Sequence, residues 1–421
     1  MFFGGCKMSD SSLTRRSFIK ASTIGAASFA VPIFVPEDCF GANDRIGIGV
    51  IGCGGRGQAL MMMALKFRQE FNLQIGALCD VWKLNIENSV AGLVSAECIE
   101  PKTFSRHAEL LALEDIDAVI IATPDFAHSP ILIEATKAKK DAYVEKPMAT
   151  RLEHARQAVH LVKKNKTIVQ VGTQYRSDAR HKEAAKLIQS GVLGKISEVE
   201  AFYHDAKPRW ARDYSDVRKE DIDWDEFLLY LPKQPFSAER FRRWHLFKDF
   251  TLGTPSLLGS HRIDVATWFM DDPLPVSAVA LGGVYVWKDG REHADTVDCI
   301  LEYPKEFILN YSTRLGNKYT PADLIFYGTR GTFDTRTWTA QPQGGGEAAL
   351  DSPIPVGQAP TEDLGAQHVR NWLECIRSRK TPNAPIEAGY AHSVAGIMCF
   401  KALETGRRQK YDIEKMSIYE G

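Results

Sequence analysis

Residues 45–57 read RIGIGVIGCGGRG, and QALMMMALKF follows. A short run of Ile, Val and Gly leads into Gly52-Cys53-Gly54-Gly55-Arg56-Gly57, then into an apolar segment of helical composition. This is a GxGxxG turn in the setting that gives it meaning: strand, tight turn, helix. Gly52 permits the tight turn, Gly54 lets backbone approach a pyrophosphate, and Gly57 allows the helix to pack closely on the strand. The helix start, with Gly55 and Arg56 in its first turn, offers free N–H groups to phosphates. The next apolar run, NLQIGALCD, ends at Asp80, twenty-three residues after Gly57. A carboxylate there accepts hydrogen bonds from an adenosine ribose and repels a 2′-phosphate. NAD is therefore expected over NADP, with Lys83 and Arg56 leaving NADP open.

The alternation continues outward. Strands are expected over 116–124 (IDAVIIATP), 141–147 (DAYVEKP) and 167–174 (TIVQVGTQ), with helices between them. Strand–helix alternation implies a doubly wound parallel sheet, a Rossmann domain spanning 43–174. Ligands bind such sheets at the carboxyl ends of the strands. Those ends carry Thr123-Pro124, Glu145-Lys146-Pro147 and Thr173-Gln174, so Lys146 lands beside a bound nicotinamide by topology alone.

After Gln174 the pattern changes. A helix over 178–191 leads to a strand over 195–205, and strands at 276–287, 296–304, 307–315 and 322–336 follow without helices between them. Residues 175–421 are thus expected to form an α+β domain with an open, largely antiparallel sheet. Two helices, near 362–379 and 385–405, end the chain. The Gly-, Pro- and Ala-rich stretch 337–361 reads as a long surface loop.

Bulk properties exclude some functions. The 421 residues are 44% apolar and 25% charged, with a formal net charge of −1. That balance argues against a nucleic-acid partner. Cys6, Cys39, Cys53, Cys79, Cys98, Cys299, Cys375 and Cys399 are scattered; no spacing suggests a metal, and most lie in apolar runs as small buried residues. The first 42 residues are different. Thr14-Arg15-Arg16-Ser17-Phe18-Ile19-Lys20 precedes sixteen uncharged residues, Ala21 to Pro36, too short for a stable membrane span. The pattern resembles a twin-arginine signal, which implies passage through the twin-arginine machinery and a periplasmic or otherwise exported protein.

The elements GVIGCGGRG, ATPDFAH, VEKP, VGTQYRS and GSHRIDVATWF, in this order and spacing, resemble the Gfo/Idh/MocA family, the relatives of glucose–fructose oxidoreductase and inositol dehydrogenase. The resemblance runs from about Asn43 to Glu414, and the tail HVRNWLECIRSRKTPNAPIEAGYAHS is similar to that of many bacterial members. It implies NAD(P) in the first domain, a sugar or polyol in the cleft, and assembly into a homo-oligomer. Residue by residue, it implies Lys146 as the catalytic lysine, its direction fixed by a cis bond before Pro147. His261 is implied as proton acceptor. Thr123, Pro124, His128, Glu145 and Gln174 are implied beside the cofactor. Tyr175 and Arg176 are implied as contacts to substrate hydroxyls. Trp244, in FRRWHLF, can offer an aromatic face to a sugar. A leader on a cofactor protein further implies a tightly bound nucleotide.

One departure stands out. Many family dehydrogenases carry an acid four residues before the histidine; here, in SLLGSHRID, that position is Leu257. If the stretch is one helix, His261 shares a face with Leu257, Asp264 and Trp268. Asp264, counted with Tyr175, Arg176 and Trp244 on the substrate side, then either orients His261 or caps or pairs within the domain. Three functions remain open: an oxidoreductase in which Lys146 and His261 suffice, a redox-neutral lyase or glycosidase with trapped NAD, and a non-catalytic sugar-binding relative.

Overall fold

Strand β1 (Ile46–Ile51) is buried on both faces, as a central parallel strand must be. In the computed structural model it sits among β2 (Leu73–Cys79), β3 (Lys102–Phe104), β4 (Ala118–Ile121), β5 (Asp141–Val144) and β6 (Val169–Val171) in the order β3-β2-β1-β4-β5-β6, every pair parallel. This is the doubly wound Rossmann order. Residues 44–421 are described, apart from residue 97 and residues 346–347 and 358–362. The leader read at residues 1–42, with Cys6 and Cys39, lies outside the described residues.

Side-chain alternation splits the core. Ala118, Ile120 and Tyr143 join the apolar cluster of the helix Gly55–Leu65, while Val119, Ile121 and Val144 join that of the helices Asp125–Lys137 and Leu152–Asn165. A third helix completes the first cluster from the far end of the chain. Leu364–Ser378 buries Val369, Trp372, Leu373 and Ile376, one stripe at helical spacing, against Ile48, Val50 and Ile120. The sequence divides the domains at residue 174; the chain crosses back to finish the first domain's core.

The second sheet has the order β14-β13-β12-β11-β7-β10-β9-β8-β15-β16 among the described residues. Its strands are β7 (Ile196–His204), β8 (Ser277–Gly283), β9 (Thr296–Tyr303), β10 (Phe307–Arg314), β11 (Leu324–Gly328), β12 (Thr332–Asp334), β13 (Thr339–Gln341), β14 (Ile354–Pro355), β15 (Gln409–Asp412) and β16 (Ser417–Glu420). Only β7 and β10 run parallel; the other pairs are antiparallel. Strand β9 buries Val297, Cys299, Leu301 and Tyr303 and exposes Asp298, Ile300 and Glu302, so one face packs and the other is open.

Three expectations change. The 322–336 run is a hairpin, folded back between Gly328 and Gly331. The 337–361 stretch is not simply a loop: β13 and β14 extend the sheet edge, where a proline in β14 is tolerated. SLLGSHRID is not one helix. Thr254–Leu257 and Gly259–Met270 are separate helices that break at Leu258, so Leu257 does not share a helical face with His261.

Between β7 and Thr254 an irregular strap, residues 206–253, leaves the second domain and lies across the first. Ile222 forms a β-bridge with Trp82, Asp223 N donates to Val81 O at 2.9 Å, and Phe126 N donates to Phe250 O at 3.2 Å. Phe126, Phe227, Phe241, Phe250 and Trp82 interlock at ring separations of 5.0–5.8 Å. Beside them, His107 Nδ1 and Nε2 lie 2.9 and 2.8 Å from Glu226 of the strap and Glu134. Burial alone would lower the His107 pKa, but the two carboxylates outweigh it and raise it. Among the described residues no helix is long and apolar enough to cross a membrane.

Candidate functional site

The carboxyl ends of the first domain's strands, the strap and the start of the helix at Gly259 enclose a cleft of about 650 Å³. Of the residues expected at the site, all but Gly57, Arg176 and Asp264 border it.

The glycine loop fits a dinucleotide. Gly52 has φ +90°, and a Cβ there would stand 2.6 Å from the backbone of Ala122 and Thr123. A Cβ on Gly57 would stand 1.9 Å from Gly52 O, so Gly57 packs helix on strand below the cleft instead of facing a ligand. Gly54 and Gly55 face open space: the nearest atom to a Cβ on Gly54 is Asn85 Nδ2 at 3.8 Å, and none lies within 4 Å on Gly55. The helix begins with no side-chain cap and no acid in its first turn, leaving its N–H groups to an anion.

Asp80 already braces that loop. Its Oδ2 accepts from Cys53 N (2.7 Å) and Asn85 Nδ2 (3.1 Å), and its Oδ1 from Trp82 N (2.8 Å). A carboxylate has about four acceptor positions, so one remains for a ribose hydroxyl. Burial pushes its pKa up to about 6, against the pull of those three donors.

At the other end Glu145 is buried and accepts from Arg56 Nε (2.6 Å) and from Lys146 N (3.0 Å). Arg56 and Lys146 overcome the cost of burial and hold the Glu145 carboxyl below its usual pKa. The pair ties the glycine loop to the lysine loop. His128 ties a third: Nδ1 lies 2.8 Å from Pro147 O and Nε2 2.7 Å from Thr123 O. Burial keeps its pKa low despite those carbonyls. The Lys146–Pro147 bond is cis. From behind, Met148 N and Ala149 N donate to His392 Nε2 (3.3 Å) and Ser393 Oγ (3.1 Å) of the helix Ile386–Thr405.

Lys146 Nζ donates to the carbonyl of Leu257 at 2.7 Å. The position that broke the family pattern therefore holds the lysine through its backbone, while its side chain packs with Leu258, Leu315, Trp210 and Trp244. Burial lowers the Lys146 pKa; Glu145 and Asp125 oppose this, and Arg56 and Arg209 reinforce it. Asp125 is buried, accepts from Thr251 Oγ1 at 2.8 Å, and is pushed up to about 7 by burial despite Lys146 nearby.

His261 borders the same cleft, with Tyr175 edge-on at 5.8 Å. Burial, then the fields of Lys146 and Arg262, hold its pKa well below 6.5, so it is neutral at pH 7. Its Nδ1 is buried and has no hydrogen-bond partner among the described residues; neither do Thr123 Oγ1 and Gln174 Oε1. Buried polar atoms left open around one cleft mark what a ligand must satisfy.

Arg176 and Asp264 are placed elsewhere. Arg176 Nε donates to both Asp264 oxygens at 3.0 and 2.8 Å, and Asp264 is 1% exposed. Paired in this way, and with His392 Nδ1 4.0 Å from its Oδ1, Asp264 is taken up by Arg176 and His392 although it is only three residues along the same helix from His261. Trp244 does border the cleft, stacked on His245 at 3.6 Å, with Trp210 on the same ring at 5.2 Å. Asn85, Asp125, Trp210, Arg212 and Arg242 also line it and were not singled out in the sequence. Of these, Asp125 had a signal, since it lies inside ATPDFAH; Trp210 and Arg212 lie in irregular backbone with none. Among the described residues no group of three or more His, Cys, Asp or Glu side chains is arranged to hold a metal.

Comparison with known proteins shows the family and the fold. Residues 46–173 match the profile of the oxidoreductase family GFO_IDH_MocA, NAD-binding Rossmann fold, and residues 185–413 match its C-terminal alpha/beta domain. An inositol 2-dehydrogenase of Rubrobacter xylanophilus is 32% identical over 155 residues, 37% of this chain and 42% of that one. A glycosyl hydrolase family 109 protein of Shewanella putrefaciens is 27% identical over 164 residues, 38% of this chain and 35% of that one. The chain thus matches less than half the length of these curated relatives. Two solved structures share the fold. The aldose–aldose oxidoreductase of Caulobacter crescentus, complexed with glycerol, has TM-score 0.65 at 18% identity, covering 87% and 99% of the two chains. The WlbA dehydrogenase of Bordetella pertussis, complexed with NADH and UDP-GlcNAcA, has TM-score 0.65 at 19% identity, covering 88% and 99%.

Proposed function

The chain belongs to the Gfo/Idh/MocA oxidoreductase family, and from that premise we propose that it is an NAD(P)-dependent oxidoreductase acting on a CH–OH group of a sugar or polyol. The observation that carries this is Lys146: a half-buried lysine with lowered pKa, in one cleft with the glycine loop and a neutral histidine.

A bound nicotinamide supplies the hydride acceptor. The chain's own groups handle the proton. Losing hydride and proton turns the alcohol into a carbonyl, and the proton needs an acceptor with pKa near the working pH. Lys146 Nζ, held by Leu257 O, is the group whose pKa burial moves down toward that range. Asp125 beside it, near pH 7, is placed to take the proton onward. His261 is a weaker base because burial opposes its charge, so its role is to hold the hydroxyl by hydrogen bond. Trp244 and Trp210 offer apolar faces to the sugar's C–H surface.

Asp80 favours NAD over NADP through charge. The strap across the cleft supports a nucleotide that is retained between turnovers. Retention, together with relatives described as glycosyl hydrolase family 109 proteins, supports a second reading: transient oxidation, elimination or glycoside cleavage, then re-reduction, with no net redox change. The Thr14–Lys20 pattern supports export, and the apolar residues Leu281, Ile300 and Ile308 exposed on the open sheet support a homo-oligomer.

A panel of sugars, polyols and glycosides, run with and without added NAD and followed at the nicotinamide absorbance, tests the proposal. Sustained NADH formation with added NAD supports the oxidoreductase. Product formation without added NAD and without net absorbance change supports the redox-neutral reading. A nucleotide-loaded protein that no member of the panel reduces or converts sinks both.

A further inference from the structure

Two arginines on the strap border the cleft without a carboxylate partner. Arg212 is exposed, and its guanidinium has no hydrogen-bond or ion-pair partner among the described residues. Arg242 has its guanidinium 5.0 Å above the ring of Trp82, and its Nε donates only to Asp213 O, at 3.3 Å. Arg242 is close enough to bear on the charge of Arg212. Neighbouring arginines usually share an acid; Arg209, Arg240 and Arg243 on the same strap each have one.

Their place along the cleft follows from their neighbours. Trp82 N is bonded to Asp80, so Arg242 over Trp82 stands at the end where the ribose acid is. Trp210, stacked on His245 at 5.2 Å and packed with Leu257, whose carbonyl holds Lys146, lies at the lysine end, and Asp213, whose carbonyl accepts from Arg242, lies at the other. Arg212 therefore sits between the two ends, where the middle of an extended dinucleotide falls.

The charge account points the same way. A pyrophosphate brings about two negative charges, and a helix N-terminus answers with roughly half of one. The loop's own arginine, Arg56, is neutralised by Glu145 at 2.6 Å. The floor of the cleft thus leaves most of the phosphate charge unanswered, and the strap carries two unanswered cations above it. Guanidinium forks suit phosphate oxygens.

We propose that Arg212 and Arg242 clamp the phosphates of the bound dinucleotide from the side opposite the glycine loop, so that the strap of residues 206–253 retains the cofactor. This rests on the oxidoreductase reading above and assigns the strap a part in it.

The test is nucleotide retention in the full chain, measured as nucleotide per protein after extended gel filtration and as the dissociation rate of NAD. Arg212→Ala is exposed and should fold; Arg212→Lys keeps the charge without the fork. Losing charge-assisted bonds to phosphate should speed NAD release about tenfold or more. The clamp predicts that Arg212→Ala loses nucleotide, that Arg212→Lys falls between, and that inorganic pyrophosphate competes with NAD less well in Arg212→Ala. NAD release unchanged in both variants overturns it. So does unchanged release with a weakened affinity for an acidic sugar such as glucuronate, which would assign the arginines to substrate. A wild-type protein that binds neither NAD nor NADP overturns the oxidoreductase reading and the clamp together, and is distinguishable from failure of the clamp alone.

Discussion

Removing the Asp264 carboxylate should destabilise the protein and leave substrate affinity almost unchanged. Arg176 Nε lies 2.8 and 3.0 Å from the two oxygens, with side chains only 14% and 1% exposed. Breaking such a buried pair from one side strands the other charge and costs about 3–5 kcal/mol. For a domain of 150–250 residues each kcal/mol moves the melting temperature by about 2–4 °C, so Asp264→Ala should melt roughly 6–20 °C lower. The pH dependence has a definite sign. Burial would raise the Asp264 pKa, but Arg176 outweighs it and holds the folded value low. The stabilisation is present above the unfolded carboxyl value, about 3.9, and is lost as pH falls through the lower folded value. Wild type and variant should therefore differ most at neutral pH and converge in acid. Arg176→Met combined with Asp264→Leu should recover most of the loss, since an apolar pair replaces a desolvated one. Calorimetric melting from pH 3 to 7 with KM measured at pH 7 makes the assay. An unchanged melt with KM raised tenfold would refute the structural role and return Asp264 to the substrate.

Other groups carry their own expectations. Lys146→Ala should reduce kcat by at least about a hundredfold, the scale of general acid–base catalysis, while the nucleotide stays bound; kcat within twofold of wild type would move proton transfer elsewhere. Asp125 ionises near pH 7 beside Lys146, so kcat/KM should show an inflection there that Asp125→Asn removes; a profile identical in both contradicts the coupling. His107 has a raised folded pKa, so its hold on Glu226 is complete below about 6.5 and fades as pH rises through the higher folded value. Proteolysis of the strap should accelerate above neutrality in wild type and depend less on pH in Glu226→Gln; strap cleavage that slows on alkalinisation would contradict this.

What the sequence discloses and what it hides follow a physical line. The first domain is legible because its signals are local: a buried strand, a positive-φ glycine at residue 52 and a helix start all lie within about twenty residues. Lys146 could be placed at the cleft by topology, since it follows a strand of the parallel sheet, whereas His261 was reached only through the family resemblance. The pairing of Arg176 with Asp264 spans 88 positions and leaves no periodicity to detect. The break at Leu258 is invisible to helical spacing, since nothing in SLLG forbids a continuous helix. The return of Leu364–Ser378 to the first domain shows in sequence only as an amphipathic helix; which sheet it covers is a tertiary fact. The first part of the strap has no pattern, yet it supplies Trp210 and Arg212 to the cleft, and Arg242 lies in FRRWHLF, where the sequence drew notice only to Trp244. Leu257 shows the converse: its side chain looked like a missing acid, while its backbone carbonyl is what holds Lys146.

The most direct check of the whole account is the nucleotide itself. Protein purified under native conditions, then denatured, should release one nicotinamide nucleotide per chain, NAD(H) in preference to NADP(H), or should bind NAD stoichiometrically if it is purified empty. A folded chain that carries neither nucleotide, and that titration calorimetry shows to bind neither, would contradict it.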